Sequence, residues 1–574
     1  LDNRNTDRIL DVLDRYPFYT FSFETSWLVD NYLESRTKSY RDKFLKYASA
    51  DRAPVNALYL NLLTGLTSGE ELYRATYFSH KLHREHGVNF EWASLTDAPS
   101  HTWFLPTLLN DVGVKGFVVG SNQTRAPILR FSDLNEQSPF YWEGMNGEKV
   151  MKWYSRSYLQ LARLTRIGGW SGEPDFNMMQ VSVPQFLTRY LKEDYAPDAV
   201  MIYGAYVDNA LIPKDADAPI IERWNQKYTY PKMITASDAD FFDYIDEHFK
   251  DDLPTFRGGA GAYWEDGAAS TAKATKMVQH AQEKLPVAET AASLSSIFMP
   301  QYNYKSDLFS DIWKNILFYN EHTWGAYNSI SQPKREFVTR QWEIKESYAH
   351  EADLNTRNVL TRSFNRLSQL FEVSGSTVFA YNFQPTERPG VIDLELDDGE
   401  YLVNLENEEP VPYDVLYNRN GYKKIRFIAK DVPAMGYKGY AIRSLEEQNE
   451  QEDGGESLSG TTIESPYFKL TLDEETGGII SLYDKTAERE LVDQEADYSL
   501  NEYVYVSGGE DTKVLNHGMS IPPADLTIHE LASAAKIEHV STLVGQRLTV
   551  ETESEQTPVI RSEYQLYDDL KRID

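Results

Sequence analysis

The chain contains no cysteine. Disulfides, thiolate catalysis and cysteine-ligated zinc or iron–sulfur sites are therefore excluded, and any metal must sit on His, Asp, Glu or carbonyl oxygen. Positive charge is scarce: 57 Lys and Arg stand against 88 Asp and Glu, a formal net charge of −31. A surface this acidic repels phosphate backbones and anionic lipid, which argues against nucleic acid and membrane as partners. No run approaches the ~18 apolar residues that cross a bilayer. No repeat of ~20–50 residues recurs. With 32 Gly and 25 Pro among 574 residues, the chain is not of low complexity. What is present is a globular composition, 41% hydrophobic and 13% aromatic. At ~150 residues per domain the length corresponds to roughly three or four domains. Neither a cytoplasmic nor an exported location is indicated, and oligomeric state is left open.

Residues 1–254 alternate between helical and strand periods. Helices are predicted up to Tyr16 and over Ser26–Leu33, Gly69–His86, Trp103–Leu109, Pro184–Leu191, Ile220–Lys227 and Ala239–Phe249. Pro184 is read as a first-turn residue. Strands are predicted over Phe18–Phe23, Asn56–Leu63, Phe90–Leu95, Val114–Val119, Ala199–Tyr206 and Met233–Ile234. This alternation implies a parallel sheet, open or closed into a barrel. Residues 255–373 change character. Ala268–Leu285, Leu308–His322 and Arg335–Phe371 are long helical patterns that read as a helical bundle. From residue 374 to 574 short strands recur, such as Val378–Asn382, Val391–Leu396, Lys424–Ala429, Tyr467–Leu472, Ile479–Tyr483 and Arg547–Thr552. They imply a β-sandwich, expected to be incomplete. Glu446–Gly460 is acidic, lacks aromatics and reads as a solvated linker.

In parallel α/β folds, reacting side chains project from the loops after strand C-termini. Asp97 follows the Phe90–Leu95 strand and Asp208 follows Ala199–Tyr206. Two such carboxylates suit glycoside hydrolysis, one as nucleophile and one as acid/base. Each also has a plain structural reading. Thr96–Asp97 makes a good helix N-cap, and Asp208–Asn209 a turn. His322 ends a helical pattern just before Gly325, where a dipole-compensating or packed His is equally expected. Trp142, Trp153, Tyr154, Trp264 and Trp324 are either sugar-stacking platforms or core.

Taken in order, several segments resemble glycoside hydrolase family 38, the α-mannosidase-like enzymes, in a divergent bacterial-type branch. Asn61–Leu66 with the Gly69–His86 helix resembles the segment before the family's nucleophile strand. Asp97–Leu109 followed by Val112–Phe117 resembles its nucleophile loop, helix and next strand. Phe140–Gly144 with Gly147–Trp153, then Tyr263–Gly267, Glu321–Gly325, Asp431–Tyr437 and Gly477–Asp484 resemble later segments. The resemblance implies a (β/α)7-type barrel-like domain over 1–254, a helical middle domain over 255–373 and a β-sandwich over 374–574.

It further implies a retaining, zinc-dependent exo-glycosidase acting on α-mannosides or related α-glycosides. Asp97 matches the nucleophile and a zinc ligand, His322 the late zinc ligand, and Asp208 the acid/base, with Asn209 competing for that alignment. Trp142, Tyr154, Trp264, Trp324 and His101 are the expected sugar contacts. The family's other zinc ligands form a His-x-Asp pair on its first strand. Residues 1–10 contain no histidine, so that pair is expected upstream of Leu1, and the chain is expected to be an N-terminally truncated fragment. Pro99-Ser100-His101 replaces the family's Phe-Gly-His, which bears on strict mannose specificity. Two other readings stand beside this one: a zinc polysaccharide deacetylase-like hydrolase, and a non-catalytic carbohydrate-binding protein retaining the fold. The enzyme reading carries a distance test. The carboxyls of Asp97 and Asp208 should lie about 5–6 Å apart, and a His322 ring nitrogen within about 4–5 Å of an Asp97 oxygen.

Overall fold

The computed structural model describes residues 1–98, 101–122, 135–166, 173–204, 210–259, 264–325, 328–329, 331–444, 455–509, 513–516, 519–521, 524–529, 531 and 533–574. Contacts divide the chain into two compact units. One is 1–364 with 516–519, and the other is 365–515 with 520–574. By packing, the α/β region and most of the long helices after it share one unit.

The first unit opens with helices α1 (Asp2–Arg15), α2 (Ser26–Ser35), α3 (Lys38–Ala48), α4 (Gly69–Arg74) and α5 (Tyr77–His86). Then come β1 (Trp92–Asp97), α6 (Leu105–Asp111), β2 (Gly116–Ser121), β3 (Phe140–Glu143) and β4 (Lys149–Ser155). Helices α7 (Gln160–Thr165), α8 (Phe176–Leu187), α9 (Ala218–Lys227) and α10 (Asp238–Phe249) precede β5 (Thr255–Arg257). The strands form one sheet in the order β1-β2-β4-β3-β5. β1, β2 and β4 run parallel, and β3 is antiparallel to β4. The C-terminal ends of β1, β2 and β4 therefore lie together, with Asp97, Ser121 and Ser155 in last place.

Period-two alternation assigns the faces. Ala93, Leu95, Phe117, Val119, Val150, Tyr154 and Trp142 enter one hydrophobic cluster. Val118, Met151 and Trp153 enter another, against Phe186 of α8 and Phe242 and Ile245 of α10. Both faces are covered, which is why β2 reads as a short apolar run and why even the polar Ser94 and Thr96 of β1 are buried. After the sheet come α11 (Ala272–Phe298), α12 (Ser306–Asn320) and α13 (Glu336–Ser368). They share a cluster built from Val278, Ala281 and Leu285, Ile312, Trp313 and Ile316, and Ala349 and Ala352.

Several expected elements are absent or redrawn. Asn56–Leu63 is buried but is not a strand. Its polar residues Asn56 and Asn61 bond to β1 through their side chains, at Ser94 N and Thr96 N, and so replace a regular ladder. Phe18–Phe23 contributes only an isolated bridge, Phe23 to Val55. Residues 199–204 form no strand; Tyr203 O and Gly204 O instead accept from Leu161 N. Met233–Ile234 is not a strand either. Gly69–His86 breaks into α4 and α5 because the Ala75 carbonyl is taken by Tyr59 N, 2.8 Å away. Pro184 lies inside α8, whose true start is capped by Asp175 accepting from Met178 N.

The second unit is β-rich. Sheets of Arg388–Asp397, Tyr422–Val432 and Tyr413–Arg419, and of Thr377–Asn382, Gly436–Ser444 and Glu400–Asn404, share one core around Leu396, Phe427, Leu402 and Tyr440. Two four-stranded sheets share a second core around Leu470, Leu482, Leu548 and Leu566. Part of the predicted linker is structured, since Glu456–Leu458 pairs with residues 539–541; residues 445–454 lie outside the described residues. No helix among the described residues is long and apolar enough to cross a membrane.

Candidate active site

The first residue of the site is placed by β1. Asp97 ends that strand with φ +73°, a left-handed conformation that most side chains avoid and aspartate tolerates. Backbone held in a sparsely populated region concentrates at functional sites. The turn directs the carboxylate out of the sheet, where both oxygens find partners. Asn122 Nδ2, just past β2, donates to Oδ1 at 2.5 Å. His322 Nε2 lies 3.1 Å from Oδ2.

His322 follows α12. The chain there is pinned to the segment before α4: His322 N donates to Asn61 O at 2.8 Å, and Leu63 N donates to Asn320 O at 3.0 Å. Asn320 Nδ2 also donates to the buried carboxyl group of Glu71 in α4. The imidazole is held on its other edge too, with Nδ1 2.6 Å from Glu321 Oε1. The Trp264 ring stacks nearly parallel to it, 6.0 Å between centroids at 17°. Glu321 is met in turn by Lys345 Nζ at 3.5 Å, and that ammonium donates to Phe318 O and Glu321 O.

Charge explains the protonation of this group. Burial alone would lower the His322 pKa, but the carboxylates of Glu321 and Asp97 carry it up to about 10. Burial would raise Glu321; His322 and then Lys345 bring it down to about 2. Lys345 is lowered to about 8 by burial, against the pull of Glu321.

A carboxylate oxygen and an imidazole nitrogen 3.1 Å apart suit two ligands of one small cation, each ~2.0–2.2 Å from the ion. Among the described residues no group of three or more His, Cys, Asp or Glu is arranged to hold a metal. Asp208 and Asn209 lie outside the described residues, so the expected Asp97–Asp208 separation has no measured counterpart.

The expected sugar contacts fare differently. Trp264 faces the site, as its stacking on His322 shows. Trp324 turns toward the helices, with Nε1 donating to Thr271 Oγ1 at 3.1 Å and its ring edge-on to Tyr319. Trp142, Tyr154 and His101 are core residues here, at 0, 1 and 1% exposure. Strand alternation turns Trp142 and Tyr154 to the inner face beside Phe117, and the Trp142 ring is covered by Lys152 Nζ at 3.6 Å from its centroid. Neither His101 nitrogen has a hydrogen-bond partner among the described residues, and burial followed by the nearby Lys152 pushes its pKa well down. A depression of about 360 Å³ lined by Thr64, Gly65, Thr67, Leu72, Thr102 and Phe104 approaches this region, with Gly65 N donating to Glu265 Oε1 at 3.2 Å. Its walls include neither Asp97 nor His322.

Asn61, Asn122, Glu321 and Lys345 received no role from the sequence. Two asparagines inside an otherwise apolar buried run were the available signal for Asn61. Nothing local marks the others.

Comparison with known proteins is consistent with this geometry. Residues 3–259 match the Glycosyl hydrolases family 38 N-terminal domain. No curated protein matches the sequence. An α-mannosidase from Enterococcus faecalis V583 superposes with a TM-score of 0.69 at 14% identity, over 100% of this chain and 70% of that one. A protein in glycosyl hydrolase family 38 from Enterococcus faecalis gives a TM-score of 0.63 at 13% identity, over 99% of this chain and 68% of that one. The likeness in fold therefore continues past residue 259. Residues 3–259, which include Asp97, thus carry the sequence pattern of the glycosyl hydrolases family 38 N-terminal domain.

Proposed function

We propose that the protein hydrolyses α-mannosides or related α-glycosides as a retaining exo-glycosidase. The observation that carries this reading is Asp97. It is a carboxylate on a left-handed backbone at a parallel-strand C-terminus, facing His322 from 225 positions away in sequence, and by resemblance it is the residue we assign as nucleophile. In the reaction, Asp97 attacks the anomeric carbon as the bond to the leaving oxygen breaks, forming a glycosyl ester. Asp208 gives that oxygen a proton, then takes one from the water that cleaves the ester. Asn122 holds Asp97 Oδ1 and orients the free lone pairs. Asp97 and His322 are the residues that hold the metal. When bound, zinc supplies Lewis acidity toward neighbouring sugar hydroxyls. The closed (β/α)7-type barrel, helical bundle and sandwich of the family belong to the same reading.

Initial rates on aryl α-mannosides, for the natural sequence and Asp97→Ala, with and without chelator, test this. Turnover that survives Asp97→Ala overturns it. Saturable sugar binding without turnover in the natural sequence would establish the non-catalytic carbohydrate-binding alternative.

A further inference from the structure

The segment 56–63 is buried, yet two of its residues carry amides. Burying an amide without partners forfeits its hydrogen bonds to water, so each must be bonded. Asn56 spends its bonds on the scaffold, accepting from Leu58 N and Ser94 N and donating to Ser94 O. Asn61 is bonded differently. Its Oδ1 accepts from Thr96 N at 2.9 Å, one residue before Asp97. Its Nδ2 donates to Glu24 Oε1 at 2.7 Å. Its own carbonyl accepts from His322 N at 2.8 Å. Leu62 bridges to Glu321, so the short pairing of 61–63 with 320–322 continues on both sides of that bond.

One residue thus grips both halves of the site without touching either reacting group. Its side chain fixes the peptide entering the left-handed turn at Asp97, and its backbone fixes His322. We propose that Asn61 is a positioning residue that sets the separation of Asp97 and His322. The kinetic part of this proposal rests on the glycosidase reading; the geometric part does not. A shift of the Thr96 peptide swings the Asp97 carboxylate, because the turn that follows leaves the side chain at the end of a short lever. Small displacements of an attacking group lower turnover steeply while leaving ground-state binding nearly intact.

Asn61→Ala and Asn56→Ala make the test, because both delete buried amide bonds to β1 and both cost stability. Crystal structures of the two variants should show the Asp97–His322 separation lengthened by about 1 Å or more in Asn61→Ala and unchanged in Asn56→Ala. The kcat on an aryl α-mannoside should fall about 10- to 100-fold in Asn61→Ala with KM within about threefold, and stay within about threefold in Asn56→Ala. Should Asn61→Ala not fold, Asn61→Gln, which keeps an amide one methylene further out, is read in the same two ways. An unchanged separation in the Asn61 variant overturns the proposal. So does an equal loss of kcat in both variants at equal loss of stability, the outcome of a purely structural role. If the natural sequence hydrolyses no glycoside, the glycosidase reading fails alone and the crystallographic distance still decides on Asn61.

Discussion

His322 Nε2 sits 3.1 Å from Asp97 Oδ2, although 225 residues separate them in the chain. The contact joins the end of the first sheet strand to the residue pair that follows α12. Asp97 is consequently a point where a left-handed backbone and a carboxylate–imidazole contact coincide.

Removing the carboxylate should remove turnover. Asp97→Ala is expected to lower kcat on aryl α-mannosides by at least about 10³-fold, as expected when a covalent nucleophile is deleted. Asp97→Asn should be as inactive but more stable than Asp97→Ala, since asparagine tolerates the left-handed backbone and alanine pays about 1 kcal/mol there. Kinetics and denaturant midpoints on the same preparations check both statements.

Metal removal should act through the same two side chains. Zinc added to chelator-treated protein is expected to raise both activity and thermal midpoint, and Asp97→Ala or His322→Ala should abolish that response. A response that persists in both variants would place the ion elsewhere.

Glu71 makes stability depend on pH. Burial raises its pKa to about 8, against the amides of Gln282 and Asn320 that donate to it. The folded chain therefore holds a proton that the unfolded chain releases near pH ~4.3. The stabilisation is complete below that pH and is lost as pH rises toward 8, by a few kcal/mol. Urea titrations from pH 5 to 8 should show this fall in the natural sequence and a flatter profile in Glu71→Gln.

The Arg166–Asp217 ion pair is closed off from water, at 2% and 0% side-chain exposure and 2.8 Å. Asp217→Ala leaves the guanidinium buried without this counter-ion and should cost about 3–5 kcal/mol. The double change Arg166→Met with Asp217→Leu should recover most of that loss. Denaturant midpoints of the two variants measure the difference.

Some of this was legible in the residues themselves. Strands β1 and β2 stand out as short strand-like segments between helical patterns, and Asp97 as a carboxylate at such an end. The three long helices and the β-rich second half follow from periods of 3.6 and 2, which depend only on local spacing. The segment 56–63 was not legible as what it is. Burial asks for apolar residues whether or not a ladder forms, and only the bonding of Asn56 and Asn61 distinguishes the two cases. Trp142 and Tyr154 illustrate the same limit, since an aromatic side chain suits a sugar platform and a core equally well. Composition and spacing thus determined the long helices, the β-rich second half, the acidic charge balance and two candidate carboxylates, Asp97 and Asp208. Only the tertiary structure decided that Asp97 meets His322 and that Asn61 ties both together, because those contacts are made between segments whose sequences carry no information about their separation in space.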